Sequence, residues 1–161
     1  MGPHILGRVI DEHAGALMLY ARQWCICPED VVQEAFVRLA SQPTLPNNVI
    51  AWLHRVVRNA AISASRSEGR RQRHERAAAA RRPSWFVPVD GAALDAQSVT
   101  TALEALPVEA RETVVAHLWG GLTFEQVGEL TGVSSSTAHR RYLQALAALR
   151  ERLRVPCPRK N

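Results

Sequence analysis

The 161-residue chain is long enough for one large domain or two small ones, and at 47% hydrophobic but only 6% aromatic it must build its core from Leu, Val and Ala. Its net charge of +5 falls in blocks: −2 over residues 1–50, +7 over 51–82, −4 over 83–120 and +4 over 121–161. Two basic blocks divided by acidic ones suggest two contacts with one polyanion, and the absence of any apolar run near ~18 residues excludes a membrane-spanning helix.

Strand signals are nearly absent and helical periodicity runs throughout. Ile10, Ala14, Leu17, Ala21 and Trp24 recur at spacings of three and four, which predicts a first helix over about 9–25. Pro28 suits the first turn of a second helix, with Glu29 and Asp30 favourable beside its positive end and Val32, Ala35, Phe36 and Leu39 as its buried stripe. The opposite face of that helix is polar and acidic. After the break QPTLPNN, a third helix is expected over about 48–72, burying Ile50, Leu53, Val57, Ala60 and Ala61. Arg55, Arg58 and Arg66 are spaced to leave its buried face and meet phosphates. Asn59 carries both donor and acceptor groups and so can read a base edge, or it can sit buried and hydrogen-bonded.

Prolines, glycine and lost periodicity mark a linker over about 77–95, in which Trp85, Phe86 and Val87 are unusually apolar. A second unit begins near Asp95. Val99, Leu103 and Leu106 form one helix, and Pro107 opens the next, which carries Val114 and Leu118. Residues 121–144, GLTFEQVGELTGVSSSTAHRRYLQ, then read as a helix-turn-helix. Thr123 can cap a first helix, with Gln126 three residues on completing a capping box. Val127 and Leu130 line one face, and Gly128 between them leaves room for a close crossing. Gly132 is placed for the left-handed conformation that ends a helix. Val133 can fill the gap under the turn, and Ser134 or Ser135 can cap the next helix. That helix turns Ala138, Tyr142, Leu146, Leu149 and Leu153 to one side and leaves His139, Arg140 and Arg141 off it. A short helix, a tight turn and a longer helix with a basic start is the shape that enters a major groove; the bland alternative is a helical hairpin with a solvated basic face.

Other readings are weaker. Nineteen of the twenty basic residues are Arg, which suits phosphate recognition but follows equally from a GC-rich genome. Cys25, Cys27 and Cys157 are odd in number and badly spaced for a disulfide framework, and Cys25 and Cys27 with His13 make a weak metal pattern lacking a clear fourth ligand, so free thiols, no metal and no cofactor are expected. The opening MGPHILGRVIDEHAG lacks the basic and apolar segments of a secretory leader, and a cytoplasmic protein is expected. Clustered carboxylates, a phosphate-binding glycine loop and a nucleophile beside a base are all missing, so an enzyme is not expected.

The order of features resembles the extracytoplasmic-function (group IV) sigma factors of the sigma-70 family over about residues 5–154. Three segments carry the likeness: PEDVVQEAFVRL at 28–39, AWLHRVVRNAAISASR at 51–66, and LEALPVEARETVVAHLWGGLTFEQVGELTGVSSSTAHRRYLQALAALRERL at 103–153. The resemblance implies an all-α protein of two small helical domains, a region-two bundle over 5–76 and a region-four helix-turn-helix over 96–154, joined by a flexible linker over 77–95 and followed by a tail at 155–161. It implies docking of Asp30, Gln33 and Glu34 on a coiled coil of the largest subunit of core RNA polymerase, where charge aids approach and register. It places Asn59 as the leading −10 contact, with Arg55, Arg58, Arg66, Arg70 and Arg71 on phosphates together with Arg73. It aligns Trp52 with an aromatic at the upstream edge of the melted bubble, where the ring either stacks on a base or belongs to the core. The loop from Thr44 to Val49 corresponds to a base-capturing loop, with Asn47 and Asn48 as candidate contacts and a plain inter-helix turn as the alternative. The −35 contacts implied are Ser135, Ser136, Thr137, His139, Arg140 and Arg141 at the start of the recognition helix. Three positions depart from the family's usual residues: His139 and Gln144 stand where basic residues are common, and Gly128 where Ala is usual, at about 1 kcal/mol of helix propensity. The partners implied are core polymerase, promoter DNA and, as in many relatives, an anti-sigma factor. The function implied is promoter recognition and opening. A stand-alone helix-turn-helix regulator is the alternative, but it needs only residues 98–154 and leaves the PEDVVQEAF helix and the first basic block unexplained.

Overall fold

The computed structural model describes residues 3–74 and 96–153, with side chains over 4–69 and 98–153. The expected linker at 77–95 with Trp85, Phe86 and Val87, the tail with Cys157, and the side chains of Arg70, Arg71 and Arg73 lie outside the described residues. Seven helices and no strands occur among the described residues: α1 (Pro3–Ala21), α2 (Pro28–Ala40), α3 (Val49–His74), α4 (Ala96–Glu104), α5 (Val108–Leu118), α6 (Phe124–Thr131) and α7 (Ser135–Leu153).

The first three helices pack on one another. α1 is displaced towards the N-terminus from the span that periodicity suggests. It opens at Pro3, a residue that a first turn tolerates, and ends at Ala21 in a turn whose Trp24 and Cys25 amides both donate to the Ala21 carbonyl, at 3.0 and 3.2 Å. Trp24 therefore continues the apolar spacing without continuing the helix. Its ring meets Tyr20 edge-on, 5.0 Å between centroids. α2 begins at Pro28 with Glu29 and Asp30 in its first turn, and buries Val32, Ala35, Phe36 and Leu39 as the stripe requires. In α3, Leu53, Val57 and Ala61 are buried, while Ile50 and Ala60 are half-buried at the edge of the same core.

In the second group α4 and α5 pack against α7, and α5 and α7 both pack against α6. The capping box forms as the sequence dictates: Thr123 Oγ1 accepts from the Gln126 amide at 3.3 Å, and Gln126 Oε1 accepts from the Thr123 amide at 2.9 Å. Gly132 ends α6 at φ 75° and ψ 32°, a conformation that costs glycine nothing and other residues a clash. Ser134 takes the capping position of α7, its Oγ accepting from the Thr137 amide at 3.2 Å. The close approach at Gly128 is to the turn: a Cβ there would lie 2.6 Å from the Val133 carbonyl oxygen. Val114 is buried in α5, but Leu118, one turn on, is half exposed.

The two groups share one core. Leu17, Tyr20, Leu53 and Val57 belong to the same connected cluster of buried side chains as Val114, Val115, Leu122 and Val127. α1 packs on α5 and α3 on α6.

Candidate polymerase and nucleic-acid interfaces

The outward face of α2 presents Asp30, Gln33 and Glu34, all exposed, on the side opposite its buried stripe. Glu34 is not a free carboxylate: Arg38, one turn on, donates to it from Nε at 2.8 Å. Val37 shares this face and is 54% exposed, in a helix whose other valines are buried. Sequence reading passed over Val37 because a valine in an apolar helix is usually core. Its position three residues after Glu34 and four after Gln33 is the signal that puts it on the outward face.

The loop and the start of α3 hold the candidate −10 residues. Asn47 and Asn48 are exposed, and Asn48 also caps α3, its Oδ1 accepting from the Ala51 amide at 2.9 Å. That leaves the Asn48 amide nitrogen, rather than its oxygen, open to a ligand. Trp52 is half-buried against the core and also lines the adjoining groove. Arg55, Asn59 and Arg66 are exposed. Arg58 differs from them. It is half-buried, its Nε donates to Glu112 Oε1 at 2.6 Å, and its guanidinium carbon lies 6.0 Å from the centre of the Trp24 ring.

Glu112, on α5, is only 3% exposed and is the junction of the two groups of helices. Its Oε1 also accepts from the Tyr20 hydroxyl at 2.6 Å, and Arg58 Nη2 reaches Oε2 at 3.5 Å. A buried carboxylate requires such partners, because desolvation penalises an unpaired charge heavily. Burial, and then the charge of Glu112, hold the Tyr20 hydroxyl well above the ordinary tyrosine range. The hydrogen bond to Glu112 raises the Arg58 guanidinium further still. Beside this junction His54 is 1% exposed. Its Nδ1 donates to the Ile50 carbonyl at 2.9 Å, which leaves Nε2 as an acceptor with no hydrogen-bond partner. The ring meets Tyr20 edge-on at 5.1 Å and abuts Gly120, where a Cβ would fall 2.5 Å from Nε2. Burial pushes the imidazole down to about 4; the Ile50 hydrogen bond opposes this and His13 adds to it.

A groove of about 490 Å³ separates the start of α3 from α6, walled on one side by Pro46, Asn47, Asn48, Trp52 and Arg55 and on the other by Thr123, Glu125, Gln126 and Glu129.

The recognition helix is open. Ser135, Ser136, His139 and Arg140 are exposed, and Thr137 and Arg141 are half-buried. The Thr137 hydroxyl accepts from Ser134 Oγ at 2.9 Å, so it is partly engaged in the cap. His139 rests edge-on against Phe124, centroids 4.8 Å apart, and Phe124 in turn stacks on His117 at 4.2 Å. His117 Nδ1 donates to the Leu122 carbonyl at 2.6 Å, fixing the turn before α6. A basic helix start of this kind, held by a rigid aromatic support, can offer donors to phosphates and base edges.

Cys25 and Cys27 are free thiols, the first buried and the second exposed. Cys25 Sγ donates to the Ala21 carbonyl at 3.5 Å, and burial pushes its thiol up to about 11, away from reactivity. No helix among the described residues is long and apolar enough to cross a membrane.

Comparison with known proteins identifies both groups of helices. The family model for sigma-70 region 2 matches residues 9–71, and that for sigma-70 region 4 matches residues 96–149. The chain is 32% identical over 132 residues to the RNA polymerase sigma factor CarQ of Myxococcus xanthus, covering 78% of this chain and 74% of that protein. It is 30% identical over 134 residues to the ECF RNA polymerase sigma factor SigE of Mycolicibacterium smegmatis, covering 78% of this chain and 51% of that one. Across the curated relatives it matches, the chain spans between 34% and 74% of their lengths. Its fold is similar to that of the sigma factor RpoE of Bartonella quintana, solved with the anti-sigma factor NepR, with a TM-score of 0.77 at 23% identity over 94% of this chain and 98% of that one. With sigma-70 regions 2 and 4 present in order on an all-helical frame, the chain belongs to the sigma-70 family of RNA polymerase sigma factors, in its extracytoplasmic-function group.

Proposed function

We propose that the chain acts as a promoter-recognition subunit. In this reading it docks on core RNA polymerase through the outward face of α2, engages a −35 element with the first turns of α7 and a −10 element with the loop from Thr44 to Val49 and α3, and promotes opening of the promoter. Its role is to position polymerase and DNA, with no bond-making chemistry of its own. The observation that carries this reading is the joint match to regions 2 and 4 in one chain. The exposure of Asp30, Gln33, Glu34, Asn59 and Arg140 supports it. Val37 joins the proposed docking face as an apolar contact flanked by charge, the arrangement in which charge sets register and burial adds affinity. The domain limits that fit are 5–76 and 96–154. An anti-sigma factor is a candidate partner because the sigma factor of similar fold was solved with one.

The test is co-elution of the purified chain with core RNA polymerase on size exclusion. Wild type is expected to co-migrate at micromolar concentration, and Asp30→Arg/Glu34→Arg to lose at least ten-fold in affinity. A folded wild-type protein that fails to bind core would overturn the reading. A stand-alone regulator accounts for residues 96–149 but leaves the region-2 match over 9–71 without a role.

A further inference from the structure

We propose that Phe124 is a positioning residue for base recognition: backed by His117, it fixes the ring of His139, so that one base pair of the −35 element is read by an aimed imidazole instead of a mobile charge. The inference rests on the −35 reading above and deepens it, by naming the base that this helix position selects and the side chain that makes it selective.

Four rings from three helices form one connected group. His117, in the last turn of α5, stacks on Phe124, the first residue of α6, at 4.2 Å with 22° between the planes. Tyr142 of α7 tilts against Phe124 at 5.3 Å and meets His117 edge-on at 4.9 Å. His139, one turn before Tyr142, stands edge-on to Phe124 at 4.8 Å and 62°. Three of these rings are half-buried, and His139 alone is exposed. The backbone that carries Phe124 is held on both sides. The Leu122 amide donates to the Ala116 carbonyl at 3.1 Å, and the Leu122 carbonyl accepts from His117 Nδ1 at 2.6 Å. Thr123 and Gln126 then close the capping box around the start of the helix. Phe124 therefore has a set position before DNA arrives, and it supports His139 there.

Support of this kind changes what a side chain can read. A lysine or arginine at this position would carry charge on a long stem, suited to phosphates of any sequence, and would lose rotamer freedom on binding. The braced imidazole has given up that freedom in the free protein, so its contact is preorganised. It offers N–H donors in the plane of a small ring. Purines present the N7 acceptor in the major groove; guanine adds the O6 acceptor where adenine presents an N6 donor. The base that meets His139 is therefore expected to be a purine, with guanine ahead of adenine. Ser136 and Arg140, three residues before and one after, are exposed beside it, which places the ring inside the surface that a groove would cover.

The experiment lets the full chain select duplexes from a random-sequence pool and reads the preference at each base pair by sequencing. Wild type is expected to show one pair with a guanine preference of about five-fold or more that His139→Ala removes. Phe124→Leu, which keeps an apolar group but removes the ring, is expected to lose that same preference and to hold the others. Phe124→Tyr is expected to retain it. Because the two residues act through one contact, Phe124→Leu/His139→Ala should lose no more at that pair than either change alone. Circular dichroism establishes that each variant is folded, and His117→Ala, which leaves Phe124 in place without its backing ring, is expected to lose the preference in part. Weakening of every position alike by Phe124→Leu makes Phe124 a plain packing residue and overturns the inference. So does a wild-type preference that survives Phe124→Leu or His139→Ala, or a pyrimidine selected at the pair that His139→Ala affects. If Arg140→Ala/Arg141→Ala leaves the whole selected sequence unchanged, the fault lies in the −35 reading itself.

Discussion

The two candidate DNA surfaces of this chain are built from similar residues and presented in different ways. On α7 the basic start of the recognition helix faces solvent, with Arg140 and His139 exposed and the helix start fixed by Ser134 and Thr137. On α3 the presentation is mixed: Arg58 is paired with Glu112 and Asn48 is spent partly on a helix cap, while Arg55, Asn59 and Arg66 are exposed. One arginine of the first basic block is thus matched by a carboxylate of the other region, while the basic start of α7 stays open. Composition alone could not distinguish these outcomes, since an arginine that meets phosphate and one that meets a carboxylate look identical in a linear count.

The largest expected effect tests this asymmetry directly. With a duplex selected from a random library by the wild-type protein, Arg140→Ala/Arg141→Ala is expected to weaken binding by at least about 30-fold, since a bidentate base contact is worth about 1–3 kcal/mol. Asn59→Ala is expected to change binding by the free chain less than about two-fold, yet to lower open-complex formation by the holoenzyme roughly ten-fold. Equal losses in the free chain would break the comparison.

A second expectation concerns the junction and acidity. Burial pushes His54 down to about 4, from roughly 6.5 in an unfolded chain. The unfolded state therefore binds the extra proton, and the contribution of a neutral buried His54 is complete above pH 6.5 and is lost as pH falls towards 4. Between pH 7 and pH 5 stability should fall by roughly 2 kcal/mol. Chemical denaturation across that range measures it, and His54→Asn is expected to lose most of the slope. A pH-independent midpoint would show that the ring is solvated. The smallest effect belongs to the open surface. Gly128→Ala gains about 1 kcal/mol in helix propensity but sets a methyl 2.6 Å from the Val133 carbonyl. Overpacking of that kind costs about 1–3 kcal/mol, so urea denaturation should report a net loss of about 1 kcal/mol with the recognition helix still formed.

The features that sequence made legible are those whose causes lie within a few residues. Thr123 with Gln126, Gly132, Pro28 and the stripe from Val32 to Leu39 each read correctly because a cap, a left-handed glycine or a helical period is a local event. The junction did not, because Tyr20 and Arg58 lie 92 and 54 residues from Glu112 and no local rule connects them. One trace was present: Glu112 precedes Val115 and Ala116 by three and four positions, which puts it on the apolar face of α5, and a carboxylate there requires a buried partner. His54 gave the same trace on α3, three residues before Val57. Asn48 was read as a base contact or part of a plain turn, and its capping of α3, also a local event, was not read. Leu118 and Trp24 show the converse, apolar spacing that runs to or past the end of a helix and so does not guarantee burial.

The continuous apolar cluster linking the two regions has a thermodynamic consequence. Two units that share one core melt as one, so calorimetry of the free chain should give a single transition whose calorimetric and van't Hoff enthalpies agree. If polymerase holds the regions apart, part of that cluster is uncovered on binding, and the hydration of the newly wetted surface adds a positive heat-capacity term to an association that otherwise lowers it. The heat capacity of holoenzyme assembly then records how far the protein has been opened, without any structure of the complex.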